Sequence, residues 1–242
     1  MNYEDNPDLY KIRHSLAHVL AQAVQKKYPD VKLGFGPPTN TGFYYDFDFG
    51  DQEISDKDFK DLTKLMRKII GQKQAFEKLE YTADTVMAAC EASMPTESYK
   101  LANIQNLIDR GETEFSFYQN GPFNDLCRGP HVEHTGLLPA KAFKLDSIAG
   151  AYWLGNEKNK QLTRIYALAF ETAEDLNDFI KRRDIAEKFD HKKLGKSLDI
   201  FHFDELVGQG LALWLPNGTI IRDEIEKYAK KRAELVAMVN DQ

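Results

Sequence analysis

The run "LYKIRHSLAHVLAQAVQKK", from Leu9 to Lys27, constrains the fold more than any other stretch of this chain. Leu9, Ile12, Leu16, Val19, Leu20, Ala23 and Val24 recur at three- and four-residue spacing, which predicts an amphipathic helix ending before Tyr28-Pro29. A helix with one apolar face needs a second layer to bury it, and the following residues offer one. "KLGFGPPTNTGFYYDFDF" reads as a Gly/Pro-punctuated loop and then a strand. Residues 55–73 read as a helix N-capped by Ser55, with an acidic first turn. "ADTVMAACEAS" and "ESYKLANIQNLID" predict two more helices, the second stopped at Arg110-Gly111. From Thr113 to Phe170 the character is β: "EFSFYQN", "AFKLDSIAG", "AYWL" and "QLTRIYALAF" are short strand-like runs, with "GNEKNK" as a hairpin loop. The fold class that follows is α+β, an antiparallel sheet packed with helices.

The last third reads differently. From Thr172 to about Lys196 the pattern is one long charged amphipathic helix opened by a Thr-x-x-Asp cap. Beyond it, "LDIFHF" and "LALWLPNGTIIRDEIEKY" suggest two strands around Pro216-Asn217-Gly218 leading into a helix. That block is too small and too poor in apolar surface to form a domain by itself.

Composition narrows the function classes. No apolar run approaches the ~18–20 residues of a membrane helix, and the polar, acidic start "MNYEDNPDLYK" is neither a signal nor a transit peptide. The expectation is a cytoplasmic protein with no membrane partner. Two cysteines, Cys90 and Cys127, are too few for a disulfide framework. A net charge of −6 argues against coating nucleic acid through global charge, although Lys181–Lys196 carries seven Lys/Arg against three Asp/Glu.

Two short motifs carry chemistry. "HSLAH" puts His14 and His18 one helical turn apart, so both imidazoles project from one face. With six histidines in the chain, such a pair is weak evidence alone. In "NDLCRGPH", Pro130 excludes helix and a turn can bring Cys127 and His131 toward one centre. Three readings stay open: a zinc site of His14, His18, Cys127 and His131; a Cys127–His131 nucleophile and base; or a buried thiol. Asp125 can orient an imidazole or hold an amine. Lys100 and Tyr45 join only if they reach the same cleft. His134, His191 and His202 read as incidental, and the Phe/Tyr cluster at 43–49 as core.

"RHSLAHVLAQAV", "GPPTNTGFYYDFD", "ESYKLANI", "NDLCRGPHV", "IAGAYWLGNEKNKQLTRIYALAF" and "DHKKLGKSLDIF", in this order, resemble the bacterial threonyl-tRNA synthetase family. The resemblance implies an editing domain over residues 1–170, of a type shared with alanyl-tRNA synthetases. It implies a linker helix over 171–198 and, over 199–242, the beginning of a class II catalytic core up to its first motif. It also implies hydrolysis of mischarged Ser-tRNA(Thr) by water attack on the aminoacyl ester. His14, His18, Lys100, Asp125, Cys127 and His131 would form the catalytic cleft, with Tyr45 near the terminal adenosine. His14 and Lys100 would activate water or stabilise charge, Asp125 would hold the substrate amine, and no acyl-enzyme is required. The partner implied is the acceptor end of tRNA(Thr).

The family's ubiquitin-like N-terminal domain has no counterpart here, and the chain stops before the family's ATP, Mg and zinc sites. Aminoacylation is therefore not expected. The long relatives would be homodimers and this stretch a monomer. No metal is expected to be obligatory for editing, with zinc permitted. The competing classes are a non-catalytic tRNA-binding module and a structural zinc domain.

Overall fold

In the computed structural model, Asn6 opens the first helix, α1 (Pro7–Lys27): its side-chain oxygen accepts from the Leu9 N–H at 3.0 Å, and Pro7 fills the first turn, where no backbone donor is needed. The structure describes residues 5–94, 96–208 and 210–240, the last seven of these by their backbone. The polar start Met1–Glu4 and the end of the tail lie outside the described residues. The chain divides into two compact units, Met1–Asn177 and Asp178–Gln242.

The first unit has two antiparallel sheets. One orders its strands β1 (Lys32–Leu33), β2 (Gly42–Asp48), β7 (Gln161–Ala169) and β6 (Phe143–Tyr152). The other runs β3 (Phe76–Thr82), β4 (Glu114–Asn120) and β5 (Phe123–Leu126). α1 and α2 (Phe59–Gly71) cover the first sheet. Leu16, Leu20 and Val24 meet Phe43, Tyr45 and Phe47 of β2, together with Leu62, Met66 and Ile69 of α2. α3 (Ala83–Ser93) and α4 (Ser98–Asp109) cover the second, around Val86, Cys90, Ile104, Phe115 and Phe117. The expected α+β class with antiparallel sheets is what the chain forms.

Two local expectations are corrected, and one strand was not foreseen. "AFKLDSIAG" and "AYWL" form one strand, β6, which hairpins into β7. The helix expected from residue 55 opens with a short 3-10 turn, Asp56–Asp58, in which the Asp58 carboxylate accepts from the Ser55 N–H. β3 had no sequence counterpart: its alternation is charged on both faces, as suits a half-solvated edge strand.

Two more corrections fall after residue 170. The single linker helix expected over 171–198 is two helices, α5 (Ala173–Lys188) and α6 (His191–Ser197). The break has a local cause: the Asp190 carboxylate accepts from Lys192 and Lys193 N–H and caps a new helix. In the second unit, β8 (Phe201–Phe203) pairs with β9 (Ala212–Trp214), and Pro216-Asn217-Gly218 is not a turn between strands. It is the first turn of α7 (Pro216–Asn240), the place where proline costs a helix nothing.

Candidate active site

Four elements converge on one cleft of about 370 Å³ in the first unit. α1 brings His14, Ser15 and His18. The end of β5 and the loop after it bring Asp125, Cys127 and His131. α4 brings Lys100, and the loop from Gly34 to Pro38 forms a wall. Arg13 fastens α1 in place, donating to the carbonyls of Ala169, Thr39 and Asn40 at 2.9–3.1 Å. The turn after β5 depends on Gly129, whose φ is +66° and whose added Cβ would lie 2.4 Å from the Tyr118 hydroxyl.

The two sequence motifs do meet. His131 stacks on His14 at 4.1 Å and on Phe76 at 4.7 Å between ring centroids, and His18 stands 4.3 Å from it. His131 Nε2 lies 3.2 Å from Cys127 Sγ, and its Nδ1 lies 3.1 Å from Ser15 Oγ. Ser15 also accepts the Val132 N–H at 3.1 Å, which ties the loop to the helix. His14 Nδ1 lies 3.3 Å from the Pro130 carbonyl. A carbonyl only accepts, so Nδ1 carries the proton and Nε2 is left as an acceptor.

Beneath the imidazoles lies a buried ionic group. Lys100 Nζ lies 2.5 Å from Asp125 Oδ1 and donates to the Gly34 carbonyl at 2.6 Å. Tyr45 donates its hydroxyl to Asp125 Oδ2 at 2.6 Å and accepts from Lys100 at 3.2 Å. His18 Nε2 stands 3.6 Å from the same carboxylate. Tyr45 is wholly buried: its ring packs in the core, and its hydroxyl reaches Asp125 and Lys100 at the floor of the cleft. The cause is strand alternation: Tyr44, one residue earlier, is the side chain that lines the cleft.

Electrostatics follow burial. Desolvation lowers His14 to about 4 and His18 to about 3, and it pushes His131 well down, so all three rings are neutral near pH 7. Burial drives the Cys127 thiol far up, and its neighbour His131 supplies no positive charge, which disfavours a thiolate nucleophile. Burial also opposes the Asp125 carboxylate, but Lys100 and His18 hold it below its ordinary value.

The donor set fits zinc. His14, His18, Cys127 and His131 each place one ligand atom within 4.8 Å of the others, a set typical of tetrahedral zinc. The other nitrogen of each imidazole faces an outer partner: the Pro130 carbonyl for His14, Ser15 Oγ for His131 and the Asp125 carboxylate for His18. His18 Nδ1 is buried without a partner, as a ligand atom awaiting a metal would be.

Two aromatic walls escaped the sequence reading. Phe35 stacks on Trp153 at 4.7 Å and 11°, and Tyr44 has the Arg164 guanidinium 3.7 Å above its ring. Arg164 is itself fixed by Asp46 through two bonds of 2.6 and 2.8 Å. Among the remaining histidines, His134, His191 and His202 do not line the cleft.

This architecture has a counterpart among known families. Residues 115–166, which carry Asp125, Cys127 and His131, match the family described as the threonyl and alanyl tRNA synthetase second additional domain. Three threonine–tRNA ligases are similar over nearly the whole chain. That of Cytophaga hutchinsonii is 45% identical over 90% of this chain and 33% of its own length, and that of Flavobacterium psychrophilum 46% over 90% and 32%. That of Gloeobacter violaceus is 42% identical over 96% and 36%. The chain is similar to these threonine–tRNA ligases over at least nine-tenths of its own length and spans about a third of theirs. None of its described helices is long and apolar enough to cross a membrane.

Proposed function

We propose that the cleft hydrolyses the ester of a mischarged tRNA, releasing serine from Ser-tRNA(Thr). The observation that carries this reading is the pairing, in one cleft, of a neutral His14 that offers Nε2 as an acceptor with the buried Lys100–Asp125 pair. A water hydrogen-bonded to His14 attacks the ester carbonyl carbon and gives a proton to Nε2; the same proton then passes to the ribose oxygen as the carbon–oxygen bond breaks, which frees serine and restores the neutral imidazole. The Lys100 ammonium stabilises negative charge developing on the carbonyl oxygen. Asp125, whose oxygens keep accepting capacity beyond Lys100 and Tyr45, receives the substrate amine. Cys127, His18 and His131 shape the wall. Phe35 and Tyr44, each backed by a planar group, offer apolar faces to the terminal nucleoside.

The discrimination is steric. Serine is threonine without a methyl, and one such group is worth only about 1–3 kcal/mol to a binding pocket, so a second site that refuses threonine completes the sieve. Zinc, if held by His14, His18, Cys127 and His131, would polarise the ester carbonyl or a water; we propose that hydrolysis does not require it. By the same reading, residues 1–170 are the editing domain, 171–198 the linker and 199–242 the beginning of the class II core. The partner is the acceptor end of tRNA(Thr), in the cytoplasm, with the dimer interface of the longer relatives outside this stretch.

A deacylation assay tests the proposal. Wild type is expected to release serine from Ser-tRNA(Thr) and spare Thr-tRNA(Thr), and His14→Ala to lose most of that rate. Equal, slow release by both proteins would end the enzyme reading in favour of a tRNA-binding module. Equal release of both amino acids would end the sieve. A stoichiometric zinc whose chelation abolishes hydrolysis would overturn the metal-independent step.

A further inference from the structure

Lys100 sits in the first turn of α4, and its ammonium must be aimed across the cleft floor with little freedom. The grip on it begins at Glu97, which opens the "ESYKLANI" segment and has no role in the site described above. Glu97 is only 4% exposed, and no cation lies within ion-pair distance of its carboxylate among the described residues. Its oxygens are used by neutral donors: Oε2 accepts from the Leu33 N–H at 2.7 Å and Oε1 from the Gln25 amide at 3.1 Å. One helical turn on, Lys100 Nζ donates to the carbonyl of Gly34, the residue after Leu33, at 2.6 Å. α4 thus holds the Leu33–Gly34 dipeptide at two points, once through Glu97 and once through Lys100. Gln25 belongs to α1, the helix that carries His14 and His18. One carboxylate therefore ties together α1, β1 and α4, three elements that furnish or flank the cleft.

We propose that Glu97 is a positioning residue: by holding Leu33 and Gln25 it fixes the Gly34 carbonyl against which the Lys100 ammonium is aimed at Asp125. A buried carboxylate among neutral donors is a costly way to join a helix to a strand, and an apolar contact would do that more cheaply. Its location one turn from the only buried ammonium among the described residues accounts for the choice. The proposal rests on the hydrolytic reading for its kinetic consequence but not for its geometry.

The experiment therefore has two readouts on the full chain: serine release from Ser-tRNA(Thr), and the NMR signal of the Lys100 ammonium. That signal is slowed in exchange by burial and is assigned by its loss in Lys100→Met. Glu97→Ala should remove the slow signal and lower hydrolysis about 10–100-fold with tRNA binding unchanged, the scale typical of a lost outer-shell partner or a small misplacement. Glu97→Gln should restore both, because its oxygen can take the Leu33 N–H while the Gln25 amide turns over to accept from its NH2. Gln25→Leu removes one of the two bonds and should weaken the signal in the same direction, which covers the case of an insoluble Glu97→Ala. In a Lys100→Met background, Glu97→Ala should cause no further loss of rate. An unchanged ammonium signal in Glu97→Ala, or a loss that multiplies with that of Lys100→Met, would overturn the proposal. Wild type that shows the protected ammonium yet releases no serine would refute the hydrolytic reading and leave the positioning intact.

Discussion

Replacing Lys100 by methionine tests the buried ionic group directly. The Lys100 and Asp125 side chains are 1% and 4% exposed and meet at 2.5 Å. At an effective dielectric of about 20, their attraction is on the order of 6–7 kcal/mol, most of it offset by the several kcal/mol needed to desolvate each ion. Removing the lysine deletes the attraction and leaves the desolvated carboxylate, which keeps only the Tyr45 hydroxyl at 2.6 Å and His18 Nε2 at 3.6 Å. The expected loss is about 3–5 kcal/mol at pH 7. In wild type Asp125 is held below its ordinary value, so the pair's stabilisation is complete above the unfolded value of about 3.9 and fades as pH falls through the folded one. Without Lys100, burial is opposed only by the Tyr45 hydroxyl and His18, so Asp125 moves upward. On acidification both proteins lose stability through the buried imidazoles, but the variant loses less, and the difference between them shrinks. Urea unfolding of both proteins in a Trp214→Phe background and metal-free buffer at pH 7 and pH 5, followed by Trp153 fluorescence, measures this. A deficit below about 1 kcal/mol, or one that ignores pH, would refute the reasoning.

Three further outcomes are expected. Tyr45→Phe removes a buried hydroxyl that both donates to Asp125 and accepts from Lys100, and should cost about 1–3 kcal/mol by denaturant midpoint without exposing new surface. Gly36→Ala puts a Cβ 2.1 Å from the Tyr45 ring, so the loop must shift off it; stability should fall by about 1–3 kcal/mol, and serine release should fall more than tRNA affinity. Because His14 and His18 are lowered to about 4 and 3 by burial, the unfolded chain binds more protons below about pH 6.5. Stability of the metal-free protein should thus rise from pH 4 to 6.5, and a flat profile over that window would contradict the neutral imidazoles.

The site was more legible than the scaffold around it. The i, i+4 histidines sit on the longest periodic helix, where spacing alone fixes direction. Gly129-Pro130 marks a turn by its chemistry. What made Asp125 and Cys127 neighbours of that helix is the pairing of β5 with β4, and a four-residue strand of mixed polarity leaves no periodic trace. Ser15, Glu97 and Tyr44 were unreadable for a similar reason. A serine in a helix, a glutamate at a helix start and a tyrosine in an aromatic strand each look ordinary until a partner 64 to 120 residues away appears. The errors after residue 170 arose from local signals misjudged: Asp190 as a new cap inside a charged run, and Pro216 as a helix start rather than a turn.

The alternation of β2 has one more consequence. Its register sets Tyr44 opposite Tyr166 and Tyr45 opposite Ile165, so neighbouring residues serve opposite faces of one sheet. A one-residue slip of β2 against β7 would send the tyrosine that braces Asp125 out to the cleft and bring the cleft's tyrosine into the core. The register of that strand is thus as much a determinant of activity as any side chain on it. A library that varies the loop before Gly42 but leaves the pairing of Gly42 with Leu168 intact should yield many working proteins, and variants that shift that pairing by one residue should yield almost none.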